Sequence, residues 1–125
     1  MSFKGFLMPI FHIFNNEPDV RSFVAGQVIF TEGQTGEDLM FAILDREVEL
    51  VRQKRVLVTI VSGGVFGEMV LFDHLPRSVS AITKTDCRVA AISEQRFTKL
   101  VSLNPLFALD MMRLLSERIR HDLES

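Results

Sequence analysis

Apolar residues near the start of the chain recur as Phe3, Phe6, Leu7, Ile10, Phe11 and Phe14, a spacing that suits one helical face. Pro9 interrupts that face, so two short turns or one kinked helix, packed on the main body, are expected over residues 2–14. From Arg21 to Ile92 the pattern changes to short β-rich runs divided by turn residues. The runs are Ser22–Val24, Val28–Phe30, Leu39–Leu44, Val48–Val51, Val56–Val61, Val79–Thr83 and Cys87–Ile92. Their brevity and regular spacing predict an antiparallel sandwich, jelly roll or barrel. No long helical segment lies between them, as a parallel sheet would need.

After Ile92 the pattern turns helical. Ser93 suits an N-cap, and Phe97, Leu100 and Val101 share one apolar face. Asn104-Pro105 ends that helix and starts the next, with Pro in the first turn. Leu109, Met112, Ser116, Ile119 and Leu123 then form a heptad-like seam, while Met111, Leu114, Leu115 and Arg118 lie on a second face. The seam is expected either to pair with a second copy or to pack on the strands of its own chain.

Length and composition narrow the class. With 125 residues, 47% of them hydrophobic, the chain can fill one core without metal or disulfide staples. Eleven Phe and no Trp or Tyr point to a core of Phe and aliphatics. A net charge of −2 argues against broad nucleic-acid binding, so any anion site must be local. Cys87 stands alone, which excludes an internal disulfide, fits a reducing compartment and suits a small core residue. No apolar run approaches the roughly 20 residues of a membrane span, and no signal-peptide pattern opens the chain. A cytoplasmic location is expected.

Catalysis finds little support. His12, His74 and His121 are scattered, without the spacing that holds a metal, so no metal site is expected. The densest polar chemistry instead lies between Phe66 and Thr83. Gly67 lets a backbone approach a ligand closely, and a helical turn over Met69–Asp73 would offer free amides to an anion. Arg77 presents a planar fork matched to phosphate oxygens, and Ser78 adds a donor. Glu68, an acceptor when ionised, suits sugar hydroxyls. Taken alone, Glu68 and Arg77 read equally well as a structural ion pair across a loop.

The order Phe66-Gly67-Glu68-Met69-Val70-Leu71, five residues, then Arg77-Ser78 and an alternating strand, resembles the phosphate-binding cassette of the cyclic nucleotide-binding domain family. Ile29-Phe30-Thr31-Glu32-Gly33-Gln34-Thr35-Gly36 resembles that family's early turn between strands. The resemblance covers nearly the whole chain. It implies a mainly β (α+β) fold, an antiparallel eight-stranded β-roll or jelly roll with a short N-terminal helical segment and two C-terminal helices. A single domain over 1–125 is expected, with the helical segment at 1–20, the roll at 21–92 and the closing helices at 93–125.

By position, the resemblance implies that Arg77 pairs with a cyclic phosphate and that Glu68 accepts the ribose 2′-hydroxyl. It further implies that Gly67, Met69 and Val70 supply backbone, and that Ser78 and Val79 close around the phosphate. The ligand expected is cAMP, with cGMP as second choice, bound without catalysis or cofactor. The last helix would cap the base and relay occupancy, with Met111, Leu115 and Arg118 as nominees for the cap. As the chain ends at Ser125, either output through a homodimer or an effector protein, or simple buffering of the nucleotide, is expected.

Three positions depart from the family's pattern. Val70 stands where Ala, Gly or Ser is usual, and Val79 where Ala is usual. Overpacking of this kind costs roughly 1–3 kcal/mol where a site cannot relax, about one to two decades in affinity. Asp45-Arg46-Glu47 also replaces a usual turn Gly. The two valines motivate a rival reading, an interaction module that kept the fold and lost the ligand. A small metalloenzyme on a β-barrel is a second rival, weakened by the missing His cluster.

Overall fold

A computed structural model of the chain describes residues 11–124, with side chains through Arg120. Most of the apolar face expected over residues 2–14 lies outside the described residues. Its described end, His12–Phe14, is one 3-10 turn that buries Phe14. Two compact units are described, one running to Glu94 and a helical one starting at Gln95.

The first unit carries β1 (Val20–Phe23), β2 (Val28–Phe30), β3 (Leu39–Asp45), β4 (Glu47–Arg52), β5 (Arg55–Val61), β6 (Val65–Phe66), β7 (Ser80–Thr83) and β8 (Cys87–Ser93). These make two antiparallel sheets of four strands, ordered β1-β8-β3-β6 and β2-β7-β4-β5. The expected eight-stranded roll is therefore present, as two open sheets and not a closed barrel. Only β6 escapes the hydrophobic pattern, since two residues are too few to display a period.

The strand order follows from composition. β3 and β8 are almost continuously apolar, and they pair at the inner positions of one sheet. Small residues on β8 make room for large ones on β3, as where Ala91 faces Phe41. β7 alternates, with Ala81 and Thr83 buried and Ser80 and Ile82 half-buried. Phe30, Phe41 and Phe66 form a ring cluster with centroids 5.4–6.0 Å apart. Such pairs add about 0.5–1.5 kcal/mol beyond their burial. The missing turn Gly between β3 and β4 leaves a trace, because Arg46 itself takes φ +70°.

In the C-terminal part, α2 (Glu94–Leu103) and α3 (Pro105–Glu124) meet at Asn104 as the sequence predicts. The Asn104 amide donates to the Leu100 carbonyl at 2.9 Å, and its own carbonyl accepts from Phe107 at 2.9 Å. The rings of Phe97 and Phe107, 5.4 Å apart, join the two helices. Met111 and Leu114 are buried, whereas Leu109, Met112 and Ile119 are 42%, 65% and 57% exposed. The two faces of α3 thus differ as their spacing suggests. Among the described residues, no helix is long and apolar enough to cross a membrane.

Candidate functional site

The stretch after β6 turns on Gly67, whose φ of +72° is left-handed. A Cβ there would stand 2.9 Å from Arg77 Nη1 and 3.1 Å from Phe30 Cε2. Glycine is required twice over, by backbone conformation and by space. One short helix follows, α1 (Val70–Asp73), with Met69 at its N-cap. The amides of Phe72 and Asp73 both bond the Met69 carbonyl at 3.0 Å. The helix stops at His74, which adopts φ +54° and returns its amide to the Val70 carbonyl at 3.1 Å. The Leu71 amide donates to the Glu68 carbonyl at 3.1 Å, so the amides of Leu71, Phe72 and Asp73 are all bonded within the chain, and the free amides expected of this turn are not found there.

Arg77 is the centre of the arrangement. Only 8% exposed, it stacks over Phe30 with its guanidinium carbon 4.1 Å from the ring centroid. Its Nη1 donates to the Gly67 carbonyl at 2.7 Å. Its Nη2 donates to the carbonyls of Leu39 at 2.6 Å and Glu37 at 3.2 Å. Its backbone is fixed as well, with the amide on the Gln34 carbonyl at 3.0 Å and the carbonyl accepting from Gly33 at 2.8 Å. The early turn between β2 and β3 is therefore laced to the cassette loop by main chain and side chain alike.

The electrostatics favour a cation held in place. Burial pulls the Arg77 guanidinium below its ordinary value, while Asp38, Glu37 and Glu68 draw it back up. Arginine remains charged throughout. Glu68 is itself 3% exposed, and its charge acts on the buried guanidinium. Beside it, His74 Nδ1 lies 2.8 Å from Asp38 Oδ2 at the surface. That hydrogen bond raises the His74 pKa; desolvation opposes it, and the charges of Asp38, Glu94 and Asp73 add to it.

The predicted site residues separate into distinct environments. Gly67, Glu68 and Arg77 come together in the buried cluster. Met69 and Ser78 are exposed, Val79 is half-buried, and Val70 turns into the core. The Ser78 carbonyl accepts a hydrogen bond from Arg52 Nε at 3.2 Å. Sequence reasoning misses Arg52, Asp38 and the carbonyls of Glu37 and Leu39. Phe30 lies within the early turn that the sequence discloses, although its place beneath Arg77 carries no signal of its own. Cys87 is buried on β8, where burial pushes its thiol up, with Asp86 and Asp45 acting in the same direction. Among the described residues, no group of three or more His, Cys, Asp or Glu could hold a metal ion.

A family model described as cyclic nucleotide-binding domain matches residues 20–104. The chain belongs to the cyclic nucleotide-binding domain family. It is 34% identical over 110 residues to the cyclic AMP receptor protein of Thermus thermophilus, covering 83% of this chain and 50% of that protein. The crystal structure of the Thermus thermophilus catabolite activator protein superimposes with a TM-score of 0.76 at 30% identity, over 85% of this chain and 52% of that one. A structure described under a cyclic-GMP-dependent signalling pathway that regulates bacterial phytopathogenesis gives 0.71 at 25% identity, over 81% and 84%. The chain thus spans about half the length of the Thermus relative.

Proposed function

We propose that this chain, acting as one domain over 1–125, binds a cyclic nucleotide as a non-catalytic regulatory module, cAMP in preference to cGMP. Arg77 takes the cyclic phosphate, and Glu68 accepts the ribose 2′-hydroxyl. Gly67, Met69 and Val70 line the ligand with backbone, while Ser78 and Val79 close around the phosphate. The observation that carries this reading is the buried arginine beside a left-handed glycine and a buried glutamate. A desolvated guanidinium held against carbonyls is poised to exchange some of them for phosphate oxygens, with which it forms stronger, charge-assisted bonds. The name of the Thermus relative supports cAMP, whereas the neighbour from the phytopathogenesis pathway speaks for cyclic GMP in that system.

α3 relays occupancy to a second copy of the chain or to an effector protein. Its exposed Leu109, Met112 and Ile119 supply an apolar seam for a homodimer. A ligand shifts such a relay only through its differential affinity for two states.

One observation favours a second reading, an interaction module without ligand. Arg77 already satisfies three carbonyls, and Val70 fills buried space where smaller residues are usual in the family. Calorimetric titration with cAMP and cGMP decides between them. Saturable heat with cAMP, weaker with cGMP, is the expected result. Silence at millimolar concentration of both would establish the second reading.

A further inference from the structure

The accessible cation at the cassette is not Arg77. That guanidinium is buried, bonded to three carbonyls and set among Glu37, Asp38 and Glu68. A phosphate could take this guanidinium only by displacing carbonyls it already holds. Arg52, at the end of β4, is exposed and reaches the cassette through its Nε bond to the Ser78 carbonyl at 3.2 Å. Ser78 directly follows Arg77. Among the described residues, that is the one side-chain hydrogen bond of Arg52, and its guanidinium has no ion-pair partner. All four N–H groups of Nη1 and Nη2 are thus left to the solvent side.

The hairpin that presents Arg52 is built against local preference. Gln53 and Lys54 form its turn at φ +50° and +66°, where glycine or asparagine is favoured. Arg52 and Arg55 face each other directly across β4 and β5, and like charges so placed repel. With Lys54 between them, the tip gathers three cations against the carboxylate of Glu32, which accepts from the Gln53 amide at 3.2 Å. Such a concentration of charge beside an anion site raises the local concentration of anions and speeds their arrival.

We infer that Arg52 is a phosphate-capture residue. The tip of the β4–β5 hairpin makes first contact with the phosphate of an incoming nucleotide, which then passes to the buried Arg77. This deepens the proposed function and rests on it. Arg52 then governs association more than dissociation, because its contact precedes the final bound geometry.

Stopped-flow association and dissociation of cAMP bearing a fluorophore on its base, measured on the full chain, tests this. Arg52→Gln keeps a donor for the Ser78 carbonyl and removes the charge. At low ionic strength it is expected to slow association about fivefold, the effect of one unit charge near 4 Å in water, with dissociation unchanged within about twofold. Arg52→Lys should restore most of the rate, and the difference should shrink at physiological salt as screening sets in. An unchanged association rate in Arg52→Gln overturns the inference while leaving the nucleotide site intact. Faster dissociation alone also overturns it, since Arg52 would then serve only to position Ser78. If the wild-type chain binds no nucleotide, the proposed function falls, and this inference falls with it.

Discussion

Arg77 and Leu39, 38 positions apart in the chain, are joined by a 2.6 Å hydrogen bond from the guanidinium to the main-chain carbonyl. Together with the bond to Glu37, it grips the backbone on both sides of Asp38. The side chain of Asp38 is held from the cassette as well, by His74. Residues 37–39 and 74–77 therefore form one clamp between the entry to β3 and the exit of α1. A residue expected to serve a ligand is also a structural tie.

Arg77→Ala should accordingly do two things. It should weaken cAMP binding by at least tenfold, and it should lower stability by about 1–3 kcal/mol for each carbonyl left unpaired away from water. Arg77→Lys keeps the charge but loses the planar fork, so it should recover little of either. Calorimetry below the melting temperature, alongside thermal denaturation, separates the two effects. Unchanged affinity in a folded Arg77→Ala variant would place the phosphate elsewhere.

Gly67→Ala should be severe for so small a change. The new Cβ would need a left-handed backbone and would stand 2.9 Å from Arg77 Nη1. Strain plus overpacking is expected to cost about 1–3 kcal/mol and to displace Arg77, reducing affinity in parallel. Thermal melts and titration measure both. A variant with wild-type stability would mean that Arg77 and Phe30 can move aside freely.

The His74–Asp38 bond carries a pH signature. Because the folded pKa of His74 is raised, chiefly by that hydrogen bond, its stabilisation is complete below the ordinary histidine value. It fades as pH rises from about 6.5 through the folded value. NMR titration of the imidazole should show a pKa above the ordinary one, returning toward it in Asp38→Asn. An unshifted wild-type titration would contradict the pairing.

How far the sequence discloses this molecule depends on the range of each signal. β3 and β8 are legible because a buried strand needs a long apolar run, whereas β6, with two residues, is not. Gly67, Glu68 and Arg77 stand out because the cassette compresses them into eleven positions. Asp38 and the carbonyls of Glu37 and Leu39 cannot stand out, since their contribution to the site arises only when β3 is placed beside α1. Backbone acceptors leave no trace in residue identity. Arg52 is hidden for the same reason, since its bond to Ser78 spans 26 positions. Val70 reads in sequence as a residue that crowds the ligand, yet its side chain is buried with Leu71 in the core.

That placement divides the two valines into different experiments. Val70→Ala should open a core cavity and lower stability by about 1–2 kcal/mol, with little gain in binding. Val79, half-buried beside Ser78, is the one whose two extra methyl groups can crowd a phosphate. Val79→Ala should tighten cAMP binding up to about tenfold, the range of a relieved overpacking. Titration of both variants checks the contrast. Equal tightening in the two would show that Val70 faces the ligand after all.

The exposed seam of α3 makes the last prediction. Leu109, Met112 and Ile119 recur at spacings of three and seven on one helical face, and each is more than two-fifths exposed. An apolar stripe on an otherwise polar helical face is the signature of a partner helix. Light scattering of the full chain should give a dimer mass, shifted to monomer by Met112→Glu, which places a charge in the seam. Because Met112 is 65% exposed, that substitution leaves the fold intact, and an unchanged melting curve at high dilution verifies this. If cAMP alters the dimer mass of the wild-type chain, the seam is the route by which occupancy is read out. If the wild type is a monomer at every concentration, with and without nucleotide, the homodimer is ruled out.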